Sequence, residues 1–166
     1  MKEIRVISKI SNFISNQSTY YKIRKRREYL KRYNIDGDRI THNVEIYNIQ
    51  NVTIGPNTYM NSGQLHAGPN SKIVIGDWCA IGYNVHIKSY THNTKEPTGI
   101  ETKSIEENIT IGNKVWIGDN VYIKQGVSIG DNVVIGANSV VTRNIDSNVT
   151  VGGVPARLLN PGNNNI

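Results

Sequence analysis

"IGDNVYIKQGVSIGDNVVIGANSVVT", Ile117 to Thr142, places isoleucine at 117, 123, 129 and 135, and Val141 closes the register. A period of six is neither the 3.6 of a helix face nor the 2 of an alternating strand. Gly follows the anchor at 118, 130 and 136, and Asn stands three places after it at 120, 132, 138 and 144. The unit reads as one short strand and one corner. The anchor points into a narrow core, and the residue four places on (Val121, Val133, Ser139) turns inward beside it. The corner demands a left-handed backbone, which Gly adopts freely and Asn tolerates best among the rest. Three units close one triangular coil, and coils stack at the strand spacing of about 4.8 Å. The spacing therefore predicts a mainly β solenoid, the hexapeptide β-helix.

Outward from this stretch the same register holds at Ile75, Ile81 and Ile111, with Gly at 76, 82 and 112 and Asn at 84. It breaks twice. Ile54 and Ile75 lie 21 apart, which puts about three extra residues near "NSGQLHAGPN". Thr91–Ser104 is polar, contains Pro97 and Gly99, and reads as a loop projecting from the coil over about 92–104. Loops of that length on a solenoid are usually functional. This one begins at His92.

Composition agrees. The 166 residues suffice for one domain with a small extra element. There are 24 Ile against 4 Leu, a bias toward a strand-forming residue. Cys79 is the single cysteine, which excludes an internal disulfide, and its apolar-periodic setting reads as a buried small residue. No apolar run suggests a membrane span and no leader is evident, so the expected location is the cytoplasm, or the periphery of the inner membrane surface.

Charge divides the chain. Residues 1–40 carry eleven Lys/Arg against four Asp/Glu; residues 41–166 carry eight against nine. The expected organisation is a basic helical segment over 1–40, the β-helix over 41–160 and a disordered tail over 161–166. The run "KIRKRREYLKRY" (Lys22–Tyr33) reads as a solvated helix face or as a patch for an anionic glycan, a lipid-linked substrate or a membrane surface. No groove-reading motif accompanies it, so nucleic acid is not expected.

Of the four histidines, His86 and His92 are six apart, which reads as the same corner place of successive units. His66 sits at the other register break.

"IGDWCAIGYNVHIKSYTHN", the loop, and then "ITIGNKVWIGDNVYIKQGVSIGDNVVIGANSVVTRNIDSNVTVGGVPARLL" resemble the hexapeptide acyltransferases. Within them the chain is similar to the galactoside, maltose and nodulation-factor O-acetyltransferase branch over about residues 50–160. The resemblance implies a left-handed parallel β-helix, a homotrimer with sites between subunits, and acetyl-CoA as co-substrate with no metal. It implies transfer of an acetyl group to a sugar or glycan hydroxyl, with His92 as general base and no acyl-enzyme. It places Asn61, in "YMN", on the acceptor and Trp116, in "VWIG", beside the base and the acetyl donor. It places Gly118, Asp119 and Ala137 along the pantetheine arm and Thr142, Arg143 and Arg157 at the phosphates. The family commonly carries Pro after the base where this chain has Asn93, a departure that bears on loop path and acceptor fit. Three other functions use the same coil: an N-acetyltransferase acting on an amino-sugar nucleotide, a zinc site like that of γ-class carbonic anhydrases, and a non-catalytic solenoid. The spacings between His66, His86 and His92 do not reproduce the zinc pattern.

Overall fold

The hexapeptide anchors stack into the predicted left-handed parallel β-helix. The computed structural model describes residues 21–93 and 103–159. Three parallel sheets form the sides of the triangle. The five-stranded side holds Val44–Tyr47, Gly63–His66, Val85–Lys88, Tyr122–Ile123 and Val140–Val141 in spatial order. The four-stranded side holds Val52–Ile54, Ile73–Ile75, Ile109–Ile111 and Ser128–Ile129. The six-stranded side runs from Tyr59–Met60 through Ala80–Ile81, Trp116–Ile117 and Val134–Ile135 to Thr150–Gly152, where Arg157–Leu158 folds back antiparallel.

The register is the expected one. Ile111 pairs Ile129, Ile117 pairs Ile135 and Ile123 pairs Val141. These anchors are buried, as are Val85, Val121, Val133 and Ser139 four places after theirs. Each buried Ile or Val contributes roughly 1.5–3 kcal/mol of transfer free energy, so the core is one continuous column.

The corners divide two roles that the sequence reading had merged. From Ile75 on, the left-handed residue is the one three places after the anchor. Trp78, Asn84, Lys114, Asn120, Gly126, Asn132, Asn138 and Asn148 have φ between 54° and 79°. Asn144 is the exception; its side chain accepts Ser128 N–H at 2.9 Å instead. The glycines directly after the anchors do not have positive φ. They are small because coils touch there. A Cβ on Gly76 would lie 2.5 Å from Gly112 O, and one on Gly118 would lie 2.7 Å from Ala137 N.

The N-terminal end is sealed by a helix over 21–31 and the turn after it. Leu30, Ile35 and Ile40 are buried against the first coil, and Ile40 bridges Met60 in parallel. A solenoid needs such a cap to cover its open end. The basic run is therefore not one uniform solvated face. Arg26 points at the coil, where its Nη2 donates to Val44 O at 2.6 Å and to Thr41 O at 3.3 Å. Arg27 pairs with Asp38 at 2.6 Å and Arg24 with Glu28 at 3.2 Å. Residues 1–20 and the expected tail over 161–166 lie outside the described residues. No described helix is long and apolar enough to cross a membrane.

Candidate active site

The chain leaves the coil after Val85–Lys88, at the corner between the five- and four-stranded sides. Tyr90–His92 and Ser104–Glu106 form an antiparallel stem with His92 opposite Ser104. His92 is exposed, and Asn93 N–H donates to Lys103 O at 3.3 Å. The remainder of the predicted loop, 94–102, lies outside the described residues.

The stem stands on the other register break. Glu106 Oε2 accepts Asn70 N–H at 2.7 Å and the Ser71 hydroxyl at 3.2 Å. The Ser71 and Ser89 hydroxyls are 2.7 Å apart, and Ser89 Oγ accepts Gly68 N–H at 2.9 Å. Both serines are buried and satisfied, as buried polar groups must be. The extra residues near Gly68–Ser71 are thus a pad that holds the His92 stem. The sequence showed two breaks but not that they touch. The nearest signal was that both fall after the same side of the triangle.

The second group occupies a different corner, between the six- and five-stranded sides. Asn61, Gly82, Gly118 and Gly136 form one column there. Their N–H groups donate to Ile81 O, Ile117 O, Ile135 O and Val151 O of the next coil. Gly118 and Ala137 are in backbone contact across coils. Asp119 Oδ1 accepts Tyr83 N–H at 2.8 Å, so its carboxylate also staples the corner. Asn61 is partly buried, and its carbonyl accepts the Thr41 hydroxyl. Trp116 projects from the six-stranded side between Ala80 and Val134, 60% exposed, two residues before Gly118.

Thr142, Arg143 and Arg157 line a single pocket of about 300 Å³ at the C-terminal end, together with Asp146 and Ala156. Neither arginine is in an ion pair among the described residues. Two guanidinium groups around one cavity have the chemistry to hold an anion. Arg157 lies beside Gly152 on the six-stranded side, whereas Thr142 and Arg143 leave the five-stranded side toward the His92 corner.

One chain therefore does not assemble all the predicted residues. Asn61, Trp116, Gly118, Asp119 and Ala137 lie on or next to one corner. His92, Thr142 and Arg143 lie at the corner across the five-stranded side.

The other titratable groups have structural settings. His86 is an outward strand residue, not a corner residue at the level of His92. The chain has already left the coil at Ser89, so the count of six no longer maps onto corners. Its Nδ1 is 3.0 Å from Gln64 Oε1 and its Nε2 is 2.9 Å from Asn84 Oδ1. His66 packs on Tyr47 and Tyr90. Burial, with Lys88 adding to it, holds both imidazoles below their ordinary range. Cys79 is buried and burial pushes its thiol up, so it is no nucleophile.

Residues 108–143 match the family model described as bacterial transferase hexapeptide (six repeats). Among solved structures, the chain is similar to a maltose O-acetyltransferase from Clostridium difficile 630. Identity is 34% over 72% of this chain and 64% of that one, with a TM-score of 0.63. A hexapeptide-repeat containing acetyltransferase from Vibrio cholerae is 32% identical over 72% of this chain and 68% of that one, with a TM-score of 0.66. A galactoside acetyltransferase in complex with coenzyme A is 40% identical over 70% of this chain and 57% of that one, with a TM-score of 0.60. The chain spans a little under two thirds of the length of the maltose enzyme.

Proposed function

The chain belongs to the hexapeptide-repeat acetyltransferases, and on that premise we propose that it moves an acetyl group from acetyl-CoA to a hydroxyl of a sugar or surface glycan. The observation that carries the reading is the placement of His92. It stands exposed on the stem of the described coil's one long excursion, while His66 and His86 are packed into the sheet. An imidazole is suited to proton transfer near neutral pH. His92 takes the proton of the acceptor hydroxyl as that oxygen attacks the acetyl carbonyl, and returns it to the departing sulfur. Acetyl-CoA supplies the activated thioester. The residues present fit it: the Gly118–Ala137 ridge bears no bulk against the pantetheine arm, and Arg143 and Arg157 receive the phosphates. Asn61 orients the acceptor and Trp116 packs beside the acetyl group.

A second copy completes the site in this reading. A three-fold arrangement in which the four-stranded side of one chain faces the six-stranded side of the next puts the His92 corner of the first and the Gly118 corner of the second at the rim of one cleft. Surface chemistry supports it. The outward strand residues of the four-stranded side are Thr53, Val74, Thr110 and Ser128, and those of the six-stranded side include Ala80, Trp116, Val134 and Thr150. None is charged. Lys88 and Glu45 belong to the five-stranded side, which this arrangement leaves facing solvent.

Thiol release from acetyl-CoA over a panel of monosaccharides, oligosaccharides and nucleotide sugars tests the function. His92→Ala should keep acetyl-CoA binding by calorimetry and lose about two to four orders of magnitude in turnover. Turnover near wild type would remove His92 from the role. No release with any sugar would end the sugar reading.

A further inference from the structure

The outward residues of the five-stranded side form two rows, and the row nearer the His92 stem carries two lysines in no ion pair among the described residues. Tyr47 pairs His66, and His66 pairs Lys88. Continuing the Ile87–Ile123 register sets Lys124 beside Lys88. Lys124 N–H donates to Val141 O, which brings Thr142 next in line, with Arg143 following it along the chain. Like charges opposite each other in a ladder destabilise it. Yet neither lysine is in an ion pair among the described residues. Three carboxylates lie nearby, each at a neutral neighbour: Glu45 accepts Gln64 Nε2 at 2.8 Å, Glu106 holds the loop pad, and Glu107 lies over Gly126. The far end of the row is aromatic. The His66 ring lies 4.0 Å from that of Tyr47, edge to face, and stacks at 6.5 Å on Tyr90, the first residue of the His92 strand. His66 Nε2 is buried with no partner. Lys88 weighs against protonation of His66 and His86, and Glu45, in the other row, weighs in its favour.

We propose that this row is the acceptor platform and that the acceptor is an acidic saccharide, one bearing a carboxylate or phosphate. The inference rests on the acetyltransferase reading above and adds a substrate class to it. A pyranose ring has an apolar face that suits the Tyr47–His66–Tyr90 end, and its acidic substituent meets Lys88 and Lys124. The ammonium groups act there as point charges rather than as shaped forks. Tyr90 carries the sugar toward the strand that ends in His92. The basic N-terminal run also suggested an anionic partner. In that run, Arg24, Arg26 and Arg27 are already engaged.

The test is calorimetry on the full chain, without donor, using tetragalacturonate and maltotetraose as length-matched probes. Wild type should bind the acidic probe about 3- to 30-fold tighter at low salt, the range for two partly exposed charge contacts, and the difference should shrink as salt rises. Lys88→Gln/Lys124→Gln should erase the difference and leave acetyl-CoA binding unchanged. Equal binding of the two probes by wild type overturns the proposal. So does a double variant that weakens acetyl-CoA instead, since the row would then serve the donor's phosphates. The comparison of probes on wild type decides the matter even if the double variant fails to fold. Binding is read without turnover, so an absence of thiol release would sink the acetyltransferase reading separately.

Discussion

Replacing Arg26 with Ala should loosen the cap of the β-helix, by an amount its contacts set. Arg26 and Leu30 are one helical turn apart and face the first coil together. Leu30 is buried, and Arg26 Nη2 reaches Val44 O at 2.6 Å. A hydrogen bond from a charged group is worth about 1.5–3 kcal/mol, and its loss also strands the carbonyl. Against this stands the buried, unpartnered Arg26 Nε, whose desolvation the substitution relieves. The net expectation is a loss of about 2 kcal/mol. At about 2–4 °C per kcal/mol for a chain of this size, the melting temperature should fall by about 4–8 °C. Amide exchange should rise first at Ile40 and Val44, because unpinning the helix exposes Leu30, Ile35 and Ile40 before the inner coils open. Arg24→Ala and Lys25→Ala are the controls. Arg24 has only an exposed i,i+4 pair, and both changes should stay within about 0.5 kcal/mol. An Arg26→Ala melting curve that overlays that of Arg24→Ala would refute the reasoning.

Two further outcomes follow from the same geometry. Folding holds His66 and His86 below the ordinary histidine range, so the unfolded chain binds more protons as pH falls through about 6.5. Stability should therefore be full above that pH and decline below it, and His66→Phe, which keeps the ring between Tyr47 and Tyr90, should flatten the decline in a melting series; an unchanged slope would count against it. Sedimentation at micromolar concentration should give a closed trimer, and monomer alone would contradict a site built from two corners.

Much of the coil was legible because its signal is redundant. Each anchor from Ile75 to Val141 repeats the same demand, so one irregular residue such as Asn144 does not obscure the period. The corner chemistry was half legible. Asn marks the left-handed position, but Trp78 and Lys114 hold it too, since coil geometry overrides the preference of a single residue. The glycines looked like turn residues because sequence does not distinguish freedom of φ from lack of room. What lies between distant segments was not legible. Nothing local in Asn70 and Ser71 announces Glu106, and nothing in "KIRKRR" separates Arg26, which faces the coil, from Lys25, which does not.

The third corner of the triangle, between the four- and six-stranded sides, carries none of the expected site residues, and closure gives it a definite place. If the four-stranded side of one chain faces the six-stranded side of the next, the five-stranded sides face outward, the third corner points at the three-fold axis, and the His92 and Gly118 corners lie at the rim of one cleft. Trp78 stands on it, 63% exposed in the single chain and at φ 59°. The left-handed region costs an ordinary residue roughly 1–2 kcal/mol, and Asn tolerates it far better. On a solvent-facing corner Trp78→Asn should therefore stabilise the chain and raise its melting temperature by a few degrees. At the axis the same change removes the ring that three copies would pack together. The expected result is a subunit equilibrium shifted toward monomer in sedimentation, with a lower melting temperature at low protein concentration. A variant that is more heat-stable and sediments as wild type does would take Trp78 off the axis, and with it this orientation of the three chains.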